Sequence, residues 1–226
     1  MGSKPIRSAN YNSPMAATAR LNQLLEESGH PPLSPETAEK FSAYLNLLQK
    51  WNARTNLTAI RDEEGILSRH FLESILCAHK LPEGIVFLLD LGSGAGFPGI
   101  PIAILRPEIS VTLAESQHKK AAFLREAVRT LSLTAQVHSG RAETMTERFD
   151  CVTLRAVDNM SAAIPIAIQL LKPSGWLAIL TTTDEAAKIQ SSTAATQIHW
   201  RPTEPLPHGT QCILLLGQQS EIAVHP

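Results

Sequence analysis

Long apolar runs and targeting signals are both missing from this sequence of 226 residues. No apolar stretch reaches the roughly 18 residues that suggest a membrane-spanning helix. The N-terminal stretch lacks the apolar centre of a signal peptide, and Ile6 stands where a myristoylation motif has Ser or Thr. We therefore expect no membrane association and a cytoplasmic location.

Cysteine is scarce, and its three copies, Cys77, Cys151 and Cys212, lie far apart. Their odd number and wide spacing disfavour a disulfide framework and a zinc knuckle. The eight histidines show no HExxH or other ligand spacing. The sequence thus predicts core or semi-buried thiols and no metal site.

Neither sign of charge dominates, because the formal net charge is −1. This balance argues against a protein that coats nucleic acid through bulk electrostatics, although it leaves room for a local basic face. After Lys172 the only basic residues are Lys188 and Arg201. Positive charge is therefore concentrated in the first three quarters of the chain.

The first third of the chain has the pattern of helices. Residues 1–14 are rich in Gly, Ser, Asn and Pro and predict a flexible lead-in. Residues 15–82 contain three helical segments, the clearest of which has Ser34 as N-cap and Pro35 at its first position. Its apolar stripe consists of Phe41, Tyr44, Leu45, Leu48 and Trp51. We predict a small helical N-terminal extension.

Residues 83–226 alternate between strand-like and helix-like segments. Strand patterns cover 85–91, 110–116, 135–140, 149–157 and 175–183, with helical patterns between them. Such alternation is typical of a mostly parallel sheet covered on both faces, a Rossmann-like α/β fold. The last two strands, 197–202 and 210–218, have no helix between them, which predicts an antiparallel edge hairpin.

The densest glycine cluster follows the first strand, in DLGSGAGFPG at 90–99. Gly92, Gly94 and Gly96 can adopt positive φ, and they let a ligand approach the backbone. A loop at the carboxyl end of a central parallel strand is where ligands of such sheets bind. The segment therefore predicts a nucleoside site.

The loop alone does not identify the nucleoside, since GAGFPG also matches the dinucleotide pattern GxGxxG. Two features favour another ligand. Asp90 places a carboxylate ahead of the glycines, and Pro98 and Pro101 remove N–H groups that a pyrophosphate would need. Glu115, at the end of the second strand, suits the ribose hydroxyls of NAD and of S-adenosylmethionine (SAM) alike.

Two later loops are expected at the same cleft. GRAET at 140–144 would carry Ala142 and Glu143 past an adenine, and LRAVDN would place Arg155 beside the reacting centre. From these residues alone, a SAM enzyme and an NAD-dependent oxidoreductase both stay open.

Several segments together resemble the GidB/RsmG methyltransferases in order and spacing: WNARTNLTAIRD, RHFLES, DLGSGAGFPGIPIAILRP, KKAAFLRE, GRAE, FDCVTLRAV and LLKPSGWLAIL. The resemblance runs from about residue 16 to residue 216. It implies a class I SAM-dependent methyltransferase fold with a small helical N-terminal extension. It also implies methylation of a guanine at N7 in 16S ribosomal RNA, with the RNA or the small ribosomal subunit as partner of a monomer.

The resemblance also implies roles for individual residues. SAM contacts are expected at Gly92, Phe97, Ala142, Glu143 and Arg155, and Arg155 is given the catalytic role as well. Asp90, Gly94, Gly96 and Glu115 follow from the general methyltransferase pattern as cofactor-binding residues. His70, in RHFLES, matches a position near the cleft, with a packed core histidine as the equal alternative.

Guanine N7 offers a lone pair and no proton, so its methylation requires no general base. In agreement, the sequence has neither an Asn-Pro-Pro-aromatic motif nor a Pro-Cys dipeptide. RNA would be held by Lys119, Lys120, Arg125 and Arg129 on one helix and by Arg54, Arg61 and Arg69 in the extension.

Two departures from the family pattern put part of this RNA surface in question. TTTDE at 181–185 replaces a lysine-glycine, and GQQSEIAVHP stands where many members have a basic tail. A SAM enzyme for a small molecule and a non-catalytic nucleotide-binding module stay open beside the leading hypothesis.

Overall fold

The computed structural model describes residues 14–157, 159–206 and 212–220. The strands are β1 (Phe87–Leu91), β2 (Ser110–Glu115), β3 (Gln136–Ser139), β4 (Phe149–Arg155), β5 (Leu171–Thr182), β6 (Ile198–Trp200), β7 (Glu204–Pro205) and β8 (Cys212–Gln219). The α-helices are α1 (Pro14–Glu27), α2 (Pro35–Thr55), α3 (Glu63–Gly65), α4 (Glu73–Lys80), α5 (Gly99–Leu105), α6 (His118–Thr130), α7 (Met160–Gln169) and α8 (Thr183–Ser192).

All the strands join one sheet in the order β3-β2-β1-β4-β5-β8-β6, and β7 pairs with β8. Strands β1 to β5 are parallel, whereas β8 runs antiparallel between β5 and β6. The predicted edge pair is therefore present, with β6 at the edge. The short β7 was not predicted, and residues 207–211 of the same connection lie outside the described residues.

Alternation along the strands divides the core between the two faces of the sheet. Leu88 of β1 packs with residues of α1, α2, α4, α5 and α6, whereas its neighbour Leu89 packs with α7 and α8. The N-terminal helices thus share one hydrophobic cluster with α5 and α6. The predicted division at residues 82 and 83 stays a prediction, and the lead-in 1–14 lies outside the described residues except for Pro14.

The last of the three helical segments predicted in the extension contains an unexpected wide turn. A π-helical segment, Ile66–Leu72, separates α3 from α4. Such turns occur frequently at functional positions. This one carries Arg69 and His70, and the Arg69 carbonyl reaches the side chain of Arg155 at the end of β4.

Two N-cap residues show how the local sequence determines where α2 and α8 begin. Ser34 caps α2 as predicted, accepting a hydrogen bond from the Thr37 N–H at 3.2 Å. Thr182, within the TTTDE segment, caps α8 by accepting from the Glu185 N–H at 3.4 Å. Asp184 and Glu185 then lie in the first turn, where negative charge interacts favourably with the helix dipole. The TTTDE segment, which differs from the family pattern, therefore supplies the N-cap and the first turn of α8.

A tyrosine of α2 joins the helical extension to the glycine loop. Tyr44 is fully buried, and its hydroxyl donates to the Ala95 carbonyl at 2.5 Å. Its ring stacks on Phe71 at 5.2 Å and contacts Phe97 at 5.4 Å between ring centroids. The extension thus supports the loop from behind. Among the described helices, none is long and apolar enough to span a membrane.

Tyr44→Phe should lower the free energy of unfolding by about 1–3 kcal/mol, because it leaves a buried carbonyl without its donor. Urea denaturation followed by circular dichroism measures this difference. Ser68→Ala is the control, since it removes a hydroxyl bonded to the Glu64 carbonyl at a partly exposed position and should cost less. An unchanged unfolding free energy for Tyr44→Phe would contradict the proposed support.

Candidate active site

Two adjoining cavities lie at the carboxyl ends of β1, β2 and β4. The larger has a volume of 570 Å³ and the smaller 270 Å³. They share Gly92, Glu115, Ser116 and Val157 as lining residues. Because β1 lies between β2 and β4, this is the switch point at which open parallel sheets bind ligands.

The smaller cavity has mostly small and apolar walls. Ala142 and Glu143 enter it from a 3-10 turn, Ala142–Thr144, that follows β3. Ala163 and Ile166 of α7 also line it. A mostly apolar slot bordered by two carboxylates, those of Glu143 and Glu115, suits a flat base such as adenine with its ribose.

The larger cavity is shared between the sheet and the helical extension. Gly94, Phe97, Lys120 and Arg155 line it from the sheet side. The extension contributes 57–60, Arg69 and His70. A wall of this cavity is therefore made by residues that lie before the parallel strands begin.

The three glycines of the loop have different surroundings. Gly92 and Gly94 have φ of +73° and +57° and line the larger cavity, so a side chain there would be strained and would face the ligand space. Gly96, with φ of +93°, lines neither cavity; its missing Cβ would lie 2.4 Å from Ile100 Cδ1. Gly96 is thus required by packing against α5.

Asp90 lies behind the loop and lines neither cavity. Its carboxylate, 1% exposed, accepts from the Gly99 N–H at 3.1 Å and from the Thr153 hydroxyl at 2.8 Å. Burial raises its pKa to about 6. The geometry therefore gives Asp90 a positioning task, and its expected contact with SAM stays a prediction.

Glu115 lies at the junction of the two cavities. One of its carboxylate oxygens accepts from the Gly94 N–H at 2.9 Å and the other from the Gln117 N–H at 2.7 Å. Glu115 is buried and lines both cavities. The carboxylate is thus fixed against the glycine loop at the position where the two cavities meet.

Arg155 at the end of β4 is held by a partner that the sequence did not reveal. Its guanidinium donates to the carboxylate of Glu73 at 2.5 Å, and the two side chains are 12% and 3% exposed. It also donates to the Arg69 carbonyl and to the Ser74 hydroxyl. The signal was present in RHFLES, but nothing in a single sequence pairs that motif with β4.

His70 both packs and faces the larger cavity. Its ring stacks on Phe97, with 4.6 Å between the centroids, and its Nε2 lies 2.7 Å from the Thr58 hydroxyl. Burial, together with the Arg155 and Arg69 cations, lowers the pKa of His70 to about 3. The imidazole is therefore neutral at physiological pH.

Comparison with known proteins decides between the open alternatives. A family model described as GidB, rRNA small subunit methyltransferase G, matches residues 37–211. The chain belongs to the GidB family. It is therefore a methyltransferase, and SAM is its cofactor.

Curated relatives carry the same description, ribosomal RNA small subunit methyltransferase G. The protein of Xanthomonas campestris pv. campestris strain 8004 is 38% identical over 215 residues, which cover 94% of this chain and 96% of that protein. The protein of Roseiflexus sp. strain RS-1 is 45% identical over 150 residues, covering 63% of this chain and 64% of that protein.

Solved structures of low sequence identity support the fold alone. A ribosomal protein L11 methylase from Lactobacillus delbrueckii subsp. bulgaricus matches with a TM-score of 0.58 and 12% identity, over 68% of this chain and 80% of that one. A SAM-dependent methyltransferase from Aquifex aeolicus matches with a TM-score of 0.54 and 17% identity, over 69% and 93%. The class I methyltransferase fold predicted from the sequence is confirmed.

The residues of the two cavities fit SAM better than a dinucleotide. At the start of α5 the Gly99 N–H is bonded to Asp90, the Ile100 N–H is bonded to the Gly96 carbonyl, and Pro101 has no N–H. A pyrophosphate would therefore find no free donor in this first turn. The glycines beside the larger cavity let a nucleoside without phosphate approach the loop backbone, and Glu115 at the junction of the two cavities offers a carboxylate to its ribose.

Asp90 should make stability depend on pH. A carboxyl group whose pKa is raised on folding binds more protons in the folded state, so its stabilising contribution is complete below about pH 4 and is lost as the pH rises through about 6. Wild-type unfolding free energy relative to Asp90→Asn should fall by about 2 kcal/mol from pH 4 to pH 7.

Chemical denaturation at a series of pH values measures this difference. Thr153→Val removes a hydrogen bond that lowers the pKa of Asp90, so the fall should extend to higher pH. A difference that stays flat between the two pH values would show that Asp90 does not titrate as the structure predicts.

Proposed function

We propose that the chain transfers the methyl group of SAM to N7 of a guanine in the 16S RNA of the small ribosomal subunit. The observation that carries the proposal is the family match over 37–211, which spans the extension from α2 onward and both cavities. We further propose a cytoplasmic monomer.

The arrangement of the cavities supports one orientation for SAM. The adenine would lie against Ala142 and Glu143, with its ribose hydroxyls at Glu115 between the cavities. The methionine portion would lie beside Gly92 and Arg155 in the larger cavity, whose remaining space receives the guanine. Phe97 would border this portion of the cofactor, since its ring is fixed between His70 and Tyr44.

The titratable groups near the site favour a reaction without proton transfer. When bound, SAM supplies a methyl group on a sulfonium sulfur, which the N7 lone pair can accept directly. His70 is too weak a base to take a proton at neutral pH, since its pKa is about 3. The protein's contribution is then orientation of the two substrates and exclusion of water.

A thiol nucleophile is equally disfavoured by the structure. Cys77 and Cys151 are fully buried, and burial raises the pKa of Cys77 to about 12 and that of Cys151 well above its ordinary value. Cys212 is partly buried, and its pKa is likewise raised to about 12. None of the three lines either cavity, so none supports covalent attack on a pyrimidine.

Glu115→Gln should weaken SAM binding on the order of tenfold, because hydrogen bonds to a charged acceptor contribute roughly 1.5–3 kcal/mol. Isothermal titration calorimetry with SAM measures the dissociation constant. Glu108→Gln is the matched control, since Glu108 pairs with Arg106 and lines neither cavity. Equal SAM affinities of the two variants would show that Glu115 does not contribute to cofactor binding.

The basic residues proposed for RNA share one feature, which is that none of them is paired with a carboxylate in the part of the chain that the structure describes. Within the described residues, no ion pair to a carboxylate holds Arg54, Arg61, Arg69, Lys119, Lys120, Arg125 or Arg129. Of these, Arg69 and Lys120 line the larger cavity. By contrast, Lys40, Lys80, Arg106, Lys172 and Lys188 are paired with carboxylates and line neither cavity. Unneutralised cations near the site are available for phosphates.

The function is tested by transfer of labelled methyl groups from SAM to small ribosomal subunits that lack the modification. We expect label in 16S RNA as 7-methylguanosine. Lys119→Glu should raise the KM for the particle on the order of tenfold and reduce its salt dependence, because a phosphate contact is lost. Lys188→Glu, in an exposed pair on α8, should change neither value.

Absence of label in particles and in free 16S RNA, with SAM binding intact, would contradict the RNA substrate and favour a small-molecule substrate. Equal KM values for the two charge reversals would contradict the proposed RNA surface. Light scattering of the purified chain tests the monomer.

A further inference from the structure

A buried charge pair borders the larger cavity from the side of the helical extension. The carboxylate of Glu73 in α4 and the guanidinium of Arg155 in β4 lie 2.5 Å apart and are separated by 82 residues of sequence. Both side chains are largely withdrawn from solvent. Charges in such surroundings interact more strongly than charges in water, and each depends on the other for compensation.

Further bonds fix the direction of the guanidinium. Arg155 also donates to the backbone carbonyl of Arg69 and, at 3.4 Å, to the Ser74 hydroxyl. All these acceptors come from the π-helical segment and α4, and the π-helical segment itself lines the cavity with Arg69 and His70. Of the two charged partners, Arg155 lines the cavity and Glu73 does not.

The charge of the cofactor makes this pairing consequential. SAM carries a positive charge on its sulfur, and it must enter a cavity that Arg155, Arg69 and Lys120 already line. Arg69 is exposed and Lys120 partly exposed, so water screens them, whereas Arg155 is screened much less. Without the Glu73 carboxylate beside it, the Arg155 cation would oppose the sulfonium, since the other buried carboxylate of this cavity, Glu115, is bonded to backbone N–H groups and not to Arg155.

We propose that Glu73 is a positioning residue that holds and neutralises Arg155, so that the cavity admits the sulfonium cation of SAM. The inference rests on the SAM cofactor and not on the identity of the RNA base. The helical extension thus supplies the carboxylate that allows the site to bind a positively charged cofactor.

Glu73→Gln provides the test, because it keeps the size of the side chain and removes its charge. S-adenosylhomocysteine is the probe for comparison. It lacks only the methyl group on the sulfur of SAM, and its sulfur is therefore neutral. Calorimetric titration should show that the ratio of the SAM to the S-adenosylhomocysteine dissociation constant rises on the order of tenfold in the variant. If Glu73 had a merely structural role, the variant would bind both ligands more weakly by the same factor.

Matched variants separate charge from geometry. Glu73→Asp keeps the charge and should restore much of the wild-type ratio, and Ser74→Ala removes a bond to the same guanidinium without changing charge and should leave the ratio as it is. Glu73→Gln combined with Arg155→Gln removes both charges and should return the ratio to the wild-type value, even if both affinities fall. Glu73→Ala removes the same charge and serves as a second test if Glu73→Gln does not fold.

An unchanged ratio in folded Glu73→Gln or Glu73→Ala would overturn the proposal, and so would a double variant that keeps the raised ratio. Failure of the wild-type chain to bind SAM would overturn it together with the cofactor assignment. Loss of RNA methylation with an intact shift of the ratio would contradict only the proposed substrate and would support the role of Glu73.

Discussion

The carboxylate of Asp90 is the interaction on which the site depends. It bonds the first N–H of α5 and the hydroxyl of Thr153, its register partner on β4, from a position with almost no access to water. The far end of the glycine loop is thereby fixed by a carboxylate from the penultimate residue of β1. Because the loop, α5 and β4 meet at this carboxylate, the positions of Gly92, Gly94 and Arg155 relative to one another follow from it.

The helical extension completes the site. Tyr44 supports the loop from behind, His70 stacks on Phe97, and Glu73 holds Arg155. These contacts come from α2, the π-helical segment and α4, which share a hydrophobic cluster with α5 and α6. Substitutions in this region should therefore be read first as changes to the cofactor cavity.

Local patterns were sufficient for most elements of the fold. Ser34 and Pro35 marked the start of α2, and the alternation of strands and helices indicated the parallel sheet, since both signals depend on neighbours in sequence. The loop 90–99 and the strand ends at Glu115 and Arg155 were also located correctly at one edge of the sheet.

What the sequence did not reveal depends on distant contacts. The partner of Arg155 is 82 residues away, and the wide turn at 66–72 has no distinct sequence signal. Likewise, the contacts of Asp90 with Thr153 and of Gly96 with Ile100 were not foreseen, and the expected contacts of both residues with the cofactor stay predictions. Glycine and aspartate in such a loop serve packing and binding alike, and only the neighbours in space distinguish the two.

The uneven pairing of the basic residues gives a nearly neutral chain a directional electric field. Arg69 and Lys120, which have no carboxylate partner among the described ion pairs, line the larger cavity, and the third cation that lines it, Arg155, is neutralised by the buried Glu73. A net charge of −1 therefore leaves room for a local positive potential at the cavity, and such a potential can orient the molecule during an encounter. In the field of a polyanion it would rotate before contact, so that the mouth of the cavity arrives first.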